Sequence, residues 1–350
     1  MTIQFHFPEN LPPSVLDEYL SRGWFRMRQS VFTCRYVMGS GVLHTAVWIR
    51  VNIENYQFSK SLRKLLAKND RLFRYEILPM VINDTHHELY ERYRENFHSD
   101  ISETIDDALF DEDKDIFDSM LINIYDHERL VAYSIFDKGS SALESIKGVW
   151  DPDYSSYSLG LYSMLLEVQY GQENNFKYYY PGYIAPGCPS FDYKTRMYPY
   201  EYWDPTSQNW FSGEKLKISH LPSEKIKVAL GRIQEALREE GIEAPIHLYP
   251  PYRHIWDKRF NDCLREPLFL LLPSPISRRK CLVIVWDTNL DVYVLYECTI
   301  INNLEEFMTG VIELPKAPSP YYYLLRINRQ SARTQFTTGL INSLKKLNLY

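Results

Sequence analysis

The residues that could do chemistry are concentrated between positions 150 and 195 of this 350-residue chain. Three successive tyrosines, Tyr178 to Tyr180, lie in a short aromatic run that favours a β-strand. Because side chains alternate along a strand, we expect Tyr178 and Tyr180 to share one face while Tyr179 faces away. A phenol can hydrogen-bond a reacting group, but a strand tyrosine also packs in a core, and the residues leave both interpretations open.

The segment before these tyrosines predicts a strand, a loop and a helix. Leu143–Trp150 suits a strand, Asp151 to Ser158 are loop-like, and apolar residues at helical spacing begin at Leu159. Ser158 is a reasonable N-cap, and the pattern fades near Gly171. So short a strand–helix–strand unit implies parallel strands with a right-handed crossover. Its helix N-terminus can hold a phosphate or a carboxylate, although most such ends bind only water.

The N-terminal region is predicted to form strands, and a segment rich in Lys and Arg follows it. Trp24–Tyr36 predicts a hairpin and Ala46–Ile53 a further strand. The run from Ser59 to Lys68 predicts a helix with leucines on one side. Its basic residues fall on the other side: Lys60, Arg63, Lys64 and Lys68. Such a face is most often only solvated surface.

Composition limits the classes of partner and compartment. The net charge is −6, so a nucleic acid would need a local basic patch on an acidic body. The five cysteines are scattered without CxxC spacing, which predicts no metal site and suits a reducing compartment. We see no signal peptide and no apolar run near the roughly 20 residues of a membrane helix, so we expect a cytoplasmic protein.

The remaining pattern predicts an α+β protein in three segments. Residues 1–75 form the N-terminal region with the basic helix, 76–210 the central domain, and 211–350 a C-terminal α+β domain of unknown role. Adjacent His86 and His87 are expected on the surface of a helix, since neighbours cannot share a helical face. Pro181 and Gly182 are expected to interrupt the aromatic strand, and Gly182 to form a bulge.

Several ordered motifs resemble one known family. The strings WDPDYSSYSLGLYSMLLE, YYYPGYI and CPSFDYK resemble motifs of the arginyl- and leucyl-tRNA–protein transferases, and LDEYLSRGWFRMRQSVFTCR and AVWIRVNIENYQFSKSLRKLLAKN resemble the N-terminal region of that family. The resemblance covers roughly residues 15–205. It is specific, because the motifs agree in order and spacing and none is a short promiscuous pattern.

The resemblance implies an acyltransferase core of the GNAT type with a mixed sheet. Two strands, a loop, a third strand, a helix and a fourth strand are the order of that fold. In ordinary GNAT enzymes a glycine-rich basic loop wraps the pyrophosphate of coenzyme A. Here the loop DPDYSSYSLG has one glycine, two acids and no Arg or Lys. This argues against acetyl-coenzyme A and agrees with an aminoacyl ester as donor, so no cofactor is expected beyond aminoacyl-tRNA as co-substrate.

The implied reaction moves an amino acid, Arg or Leu, from tRNA to the N-terminal amine of a protein or peptide, as in the N-degron pathway. We expect catalytic roles for Tyr178, Tyr180 and Asp153. The expected substrate-binding residues are Tyr154, Ser158, Leu159, Gly160, Gly182, Tyr183, Cys188, Tyr193 and Lys194. The expected tRNA-binding residues are Lys60, Arg63, Lys64, Lys68, Arg26 and Arg50.

Departures from the family pattern leave alternatives open. Of the N-terminal cysteine cluster only Cys34 remains, and Pro181, Ser190 and Asp192 replace usual residues beside the expected site. The residues do not identify the transferred amino acid, the acceptor or the oligomeric state. One alternative is a GNAT-like tRNA-dependent ligase that modifies a small molecule or a ribosomal peptide precursor. Another is a non-catalytic homologue that binds tRNA or protein.

Overall fold

The chain folds into two compact units in a computed structural model. The model describes residues 3–39, 41–96, 101–111, 114–250, 261–273, 279–303, 319–321 and 323–347. We name the first unit, Phe5–Thr33 with Ala46–Leu216, the motif-bearing unit. The C-terminal unit comprises Met1–Gln4, Cys34–Thr45 and Lys217–Tyr350.

This division differs from the three predicted segments in two respects. The stretches predicted as an N-terminal region and a central domain fold together, and Cys34–Thr45 belongs with the C-terminal unit. The role given to each predicted segment stays a prediction.

The described residues form strands and helices along the whole chain. The strands are β1 (Ile3–His6), β2 (Phe25–Met27), β3 (Ser30–Cys34), β4 (Tyr36–Gly39), β5 (Val42–Thr45), β6 (Val47–Asn52), β7 (Arg74–Pro79), β8 (Ser119–Asp126), β9 (Arg129–Lys138), β10 (Ala142–Trp150), β11 (Tyr178–Ile184), β12 (Glu201–Asp204), β13 (Asn209–Ser212), β14 (Ile246–Leu248), β15 (Leu268–Pro273), β16 (Lys280–Asp287), β17 (Val292–Asn303), β18 (Ser319–Pro320) and β19 (Tyr323–Thr334). The helices are α1 (Pro13–Ser21), α2 (Lys60–Asn69), α3 (Asp84–Glu95), α4 (Ile105–Leu109), α5 (Leu159–Glu173), α6 (Pro222–Glu239) and α7 (Thr337–Lys346). Short 3-10 helices span Pro152–Tyr157, Pro189–Met197, Gly213–Lys215 and Ile218–His220.

The motif-bearing unit is built on a mixed sheet of eight strands. Their order is β13-β12-β6-β11-β10-β9-β8-β7. β8, β9 and β10 are antiparallel neighbours, whereas β10 and β11 are parallel and joined by α5. This confirms the α+β class, the order of elements expected for a GNAT-type core and the parallel pair predicted from the short strand–helix–strand unit.

The two faces of this sheet carry separate apolar cores. One core contains the leucines of α2 and the apolar residues of α5, and we call this side the α5 face. The other contains Leu89, Tyr90 and Tyr93 of α3 with residues of β9 and β10, and we call it the α3 face. α5 is apolar almost all round and therefore lies buried, as such helices do. The helix predicted to begin at Leu159 is confirmed.

Strand β11 runs through Pro181 and Gly182 without a break, which corrects the predicted interruption. Its pairing with β6 shifts register between Tyr179 and Gly182, and Gly182 has a φ of +86°. A bulge leaves one residue outside the ladder, so a proline without an N–H is tolerated there. The predicted bulge at Gly182 is therefore confirmed, and it is the reason that the strand continues.

Strands β10 and β11 separate soon after they meet. They pair only where Ala142, Leu143 and Glu144 face Tyr178, Tyr179 and Tyr180. Beyond this point β10 continues beside β9, and β11 continues beside β6. We call the space between Ser145–Trp150 and Pro181–Ile184 the inter-strand cleft.

Two polar residues that were predicted to lie at the surface, Arg26 and His86, are buried in the interior of this unit. The Arg26 guanidinium donates to Asp137 at 2.9 Å, to Ser119 at 3.0 Å and to the Leu109 carbonyl at 2.9 Å. The Arg26 side chain is therefore buried and not accessible to tRNA, so its predicted role in tRNA binding is corrected. His86 is buried as well, because its imidazole caps the start of α3 and contacts Asn123.

The C-terminal unit has its own sheet and core. Six strands follow the order β18-β14-β15-β16-β17-β19, and β4 and β5 form a separate hairpin. β16 and β17 pair antiparallel from Lys280 with Thr299 to Asp287 with Val292. The apolar residues of α6 and α7 complete the core. This confirms the predicted α+β character, but gives the unit no function.

The buried pair of Arg26 and Asp137 generates a stability prediction. Arg26→Met should lower the free energy of unfolding by about 3–5 kcal/mol, because it leaves Asp137 buried without its cation. Urea denaturation followed by circular dichroism measures this. Arg28→Met is the control: Arg28 lies 3.6 Å from Asp111 at the surface, and its loss should cost less than about 1 kcal/mol. Equal effects of the two substitutions would contradict the assignment.

Candidate active site

A buried carboxyl lies beneath the inter-strand cleft. Glu167 of α5 is inaccessible to solvent, and it accepts hydrogen bonds from Ser134 of β9 and, at 2.6 Å, from the Tyr179 hydroxyl of β11. Burial raises the pKa of Glu167 to about 7, although hydrogen bonds from Ser134, Tyr179 and Ser145 oppose this effect. A carboxyl with this pKa changes charge near neutral pH, as groups at functional sites often do.

Lys194 enters the same region from the segment after β11. The 3-10 helix Pro189–Met197 turns back on β11, and the Lys194 ammonium donates to the Tyr183 carbonyl at 3.2 Å. A Cβ on Gly182 would lie only 3.2 Å from Lys194 Nζ, so the glycine gives the amine room. Burial lowers the pKa of Lys194 to about 8, and the charge of Glu167 opposes this shift.

Tyr193, the neighbour of Lys194, interacts electrostatically with groups on both sides of the sheet. The residue as a whole is 40% exposed, yet burial raises the pKa of Tyr193 to about 12. Glu167 on the α5 face contributes to this rise, and Tyr193 in turn raises the pKa of Tyr93 on the α3 face. The hydroxyl of Tyr193 therefore lies within electrostatic range of both faces.

A second amine, Lys147 of β10, lies on the α3 face. Its Nζ is 5.5 Å from the centre of the Tyr90 ring and 5.6 Å from that of Tyr93. Tyr93 packs edge-on against Trp150 at 4.7 Å between ring centres. Burial lowers the pKa of Lys147 to about 8. Two amines and one carboxyl with pKa values near neutrality thus surround the cleft.

The two tyrosines predicted to be catalytic lie on the α3 face and away from Glu167. Tyr178 and Tyr180 share one side of β11, with ring centres 6.3 Å apart, and Tyr179 points the other way. The predicted alternation is confirmed, but the tyrosine that contacts Glu167 is Tyr179. Burial raises the pKa of Tyr180 to about 12. The catalytic role of Tyr178 and Tyr180 stays a prediction.

Arg50, predicted to bind tRNA, is held among these aromatic residues. Its guanidinium lies 4.1 Å from the ring centre of Tyr178 and 4.4 Å from that of Trp210, and it donates to Glu201 at 2.7 Å. Stacking and an ion pair fix its orientation. Its contact with tRNA stays a prediction.

The segment before α5, which was predicted to be a loop, contains the short 3-10 helix Pro152–Tyr157. Several predicted site residues lie in or next to this helix. Asp153 projects into solvent with 81% of its side chain exposed, 3.8 Å from Arg129, and the Tyr154 hydroxyl donates to Asp126 at 2.7 Å. Ser158 occupies the N-cap position in a left-handed conformation, and its side chain makes no capping hydrogen bond.

Two further predicted residues beside Ser158 pack in the interior. Leu159 is buried, and Gly160 lies against Trp150 so closely that a Cβ would come within 2.9 Å of the ring. Cys188 is also buried, with its sulfur 3.2 Å from the Ser190 hydroxyl. These positions shape the site, whereas a substrate contact for each of them stays a prediction.

The basic residues of α2 form one exposed face beside the start of α5. Lys60, Arg63, Lys64 and Lys68 are all exposed, and Ser59 caps the helix as expected. Lys68 lies 4.7 Å from the centre of the Tyr157 ring, and the Asn69 amide donates to the Tyr157 carbonyl at 3.0 Å. The basic face is therefore attached to the segment that leads into α5.

Sequence reasoning missed Glu167, Tyr179, Ser134, Lys147 and Tyr93. A signal existed for Glu167, because it is the only charged residue between Asp153 and Glu173 in an otherwise apolar helix. An acid inside a helix that is apolar all round must be buried, and a buried acid requires partners. No comparable local signal marks Lys147 or Tyr93, because they meet through tertiary packing.

Comparison with known proteins agrees with this architecture. Residues 85–204 match the family model described as arginine-tRNA-protein transferase, C terminus. An aspartate/glutamate leucyltransferase of Campylobacter jejuni (strain RM1221) is 27% identical over 205 residues, which cover 57% of this chain and 84% of the relative. A protein of the same name from Helicobacter hepaticus is 29% identical over 204 residues, covering 56% and 82% of the two chains.

Solved structures overlap the chain only weakly. A C-terminal domain of a putative lysylphosphatidylglycerol synthetase from Agrobacterium fabrum has a TM-score of 0.34 at 11% identity, covering 40% of this chain and 47% of that one. A GCN5-related N-acetyltransferase-like protein from Streptococcus suis has a TM-score of 0.29 at 14% identity, covering 47% and 61%. These overlaps are too weak to define the fold, which is defined by the strand order above.

The topology and the family match define this protein as an acyltransferase. Its sequence is similar to aminoacyl-tRNA–protein transferases, over residues 85–204 for the family model and over 205 residues for the Campylobacter relative. Within the described ranges, no cluster of His, Cys, Asp and Glu could hold a metal ion. No helix in those ranges is long and apolar enough to cross a membrane.

The raised pKa of Glu167 generates a prediction about pH dependence. Between about pH 4.5 and 7 the folded protein keeps a proton on Glu167 that the unfolded chain releases, so this group lowers stability as pH rises through that window. Glu167→Gln removes the effect. The stability of the variant relative to the parent should therefore be greater at pH 7.5 than at pH 4.5, by up to about 3 kcal/mol.

Chemical denaturation at several pH values measures this difference, and the other titrating groups cancel between parent and variant. Glu173→Gln is the matched control, because Glu173 is exposed near the end of the same helix. If the curves of parent and Glu167→Gln run parallel, Glu167 does not hold a proton near neutral pH.

Proposed function

We propose that this protein transfers an arginyl or leucyl group from its tRNA to the N-terminal amine of a protein or peptide. One observation carries the proposal: the exposed basic face of α2 contacts Tyr157, which lies just before α5. The contacts are a hydrogen bond from the Asn69 amide to the Tyr157 carbonyl and a cation–π contact of Lys68 with the Tyr157 ring. A surface suited to a polyanion therefore adjoins the helix that carries Glu167 beneath the cleft. Phosphates of the acceptor stem would bind this surface without regard to sequence.

The relatives favour one version of this reaction. Their name, aspartate/glutamate leucyltransferase, states leucyl transfer and acidic acceptor residues for those proteins. We extend this to the present chain as a proposal, with leucine as the first donor to test and N-terminal Asp or Glu as the first acceptors. Because the donor is an aminoacyl-tRNA, we also propose that the protein acts in the cytoplasm.

The chemistry requires alignment and the removal of a proton. The acceptor amine attacks the ester carbonyl, a C–N bond forms, and the C–O bond to the terminal ribose breaks. The ammonium loses a proton, and the ribose oxygen leaves as a hydroxyl after gaining one. The ester is already activated, so much of the rate comes from holding amine and carbonyl together and stabilising the oxyanion.

We assign proton handling to Lys194. With a pKa of about 8, its amine can accept a proton from the attacking amine and return it to the departing ribose oxygen. Glu167 is enclosed by Ser134 and Tyr179 and does not reach substrate, so it acts as a positioning residue that favours the charged state of Lys194.

Transfer of labelled amino acids tests the reaction class. Total tRNA is charged with labelled leucine, arginine or another amino acid, and peptides with N-terminal Asp, Glu, Arg, Lys or Ala are offered. We expect ribonuclease-sensitive labelling of the peptide. The absence of transfer from every donor, despite measurable tRNA binding, would contradict the proposal and favour a ligase with a specialised acceptor.

The basic face of α2 generates a separate prediction about salt. Replacing Lys60, Lys64 and Lys68 by alanine should weaken tRNA binding, and the slope of log affinity against log salt should fall by about one for each phosphate that the variant no longer neutralises. Filter binding at several KCl concentrations measures the slope. The control replaces Lys225 and Lys227 of α6, which pair with Asp291 and Glu224. An unchanged slope in the triple variant would remove α2 from the tRNA-binding surface.

A further inference from the structure

Lys147 differs from two other charged groups of the motif-bearing unit, Arg26 and Asp151, which each have an ion-pair partner. Arg26 pairs with Asp137 at 2.9 Å, and Asp151 pairs with Arg129 at 2.6 Å. By contrast, no carboxylate among the described residues forms an ion pair with Lys147, and its amine faces the rings of Tyr90 and Tyr93. A partly buried ammonium without a counterion lowers stability, and a bound anion would supply that counterion.

The backbone directs this amine to the cleft. Lys147 lies three residues beyond Glu144, the last residue of β10 that pairs with β11. The pairing of β10 with β9 shifts register between Ser145 and Lys147. Ser145 hydrogen-bonds to Glu167 on the α5 face, whereas the Lys147 amine faces the tyrosine rings of α3. The bulge thus places an amine at the α3 side of the same opening.

We propose that Lys147, between Tyr90 and Tyr93, binds the side-chain carboxylate of an acidic residue at the acceptor N-terminus. The inference rests on the proposed function and adds the group that selects the acceptor. An ammonium set against tyrosine rings offers charge and N–H donors to a carboxylate. A neutral acceptor would leave the ammonium without a counterion, so the site discriminates by charge.

The two faces of the sheet separate the two substrates. The basic face of α2 belongs to the α5 side, where Leu62 and Leu66 share a core with α5. Lys147 and its tyrosines lie on the α3 side, with Tyr178 and Tyr180. A tRNA bound to α2 therefore approaches the cleft from one face and the acceptor from the other. This arrangement favours a carboxylate over a tRNA phosphate as the anion at Lys147.

The test is a comparison of acceptor peptides with Lys147→Met. Peptides that begin with Asp, Asn, Glu or Gln are offered with saturating charged tRNA, and kcat/KM is measured for each. We expect Lys147→Met to lose about 30-fold or more with Asp and Glu, with little change for Asn and Gln. Its melting temperature at pH 7 should rise, because the unpaired ammonium is gone.

The matched control is Lys138→Met on β9, whose amine already pairs with Asp118 at 3.2 Å. It should keep the parental acceptor preference. A retained preference for Asp over Asn in Lys147→Met would overturn the inference while leaving the transferase proposal intact. An equal loss with all peptides, together with weaker tRNA binding, would assign the anion to a tRNA phosphate and also overturn it. No transfer by the parent protein would contradict the proposed function and this inference with it.

Discussion

Strands β10 and β11 pair at three positions and then separate, and the polar groups of the candidate active site lie around the space between them. The separation has a local cause on each strand. β10 shifts register against β9 between Ser145 and Lys147, and β11 shifts against β6 at Gly182. The two bulges bend the strands apart without breaking the eight-stranded sheet. Without the separation, Lys194 would have no space beside Gly182.

In the proposed mechanism, the separation of β10 and β11 brings groups from both faces of the sheet to one site. The α5 face contributes Glu167 with its hydrogen bonds from Ser134 and Tyr179, and the basic surface of α2. The α3 face contributes Lys147 and its tyrosines. A transfer reaction requires two large substrates to meet at one carbonyl, and approach from opposite faces lets a polyanion and a peptide do so without competing for the same surface.

Much of the fold was predictable because it follows local periodicity. The helix that begins at Leu159, the basic helix capped by Ser59, the parallel pair around α5 and the hairpin of β16 and β17 follow from residue spacing. The errors occurred where tertiary packing outweighs local preference. Arg26 is drawn into the interior by Asp137, 111 residues away, and His86 is buried by its capping contact and Asn123. The sequence offers no local sign of either partner.

The candidate site was predictable only in part. Gly182, Tyr183, Tyr193 and Lys194 lie together, since they follow one another closely along the chain. The predicted alternation of the side chains of Tyr178 to Tyr180 between the two faces of the sheet was also correct. Alternation alone does not show which face contains the Glu167 carboxyl. That face is set by the crossover of α5, which places Glu167 against Tyr179. Lys147 and Tyr93 meet only because α3 packs on β10, a contact that no periodicity encodes.

The most direct test of this account is a structure of the protein with a non-hydrolysable aminoacyl-tRNA, in which an amide replaces the ester. We expect the aminoacyl carbonyl to lie in the inter-strand cleft within hydrogen-bond reach of Lys194 Nζ, and the acceptor stem to lie on the basic face of α2. A carbonyl bound outside the cleft, or an acceptor stem on the α3 face, would contradict the account.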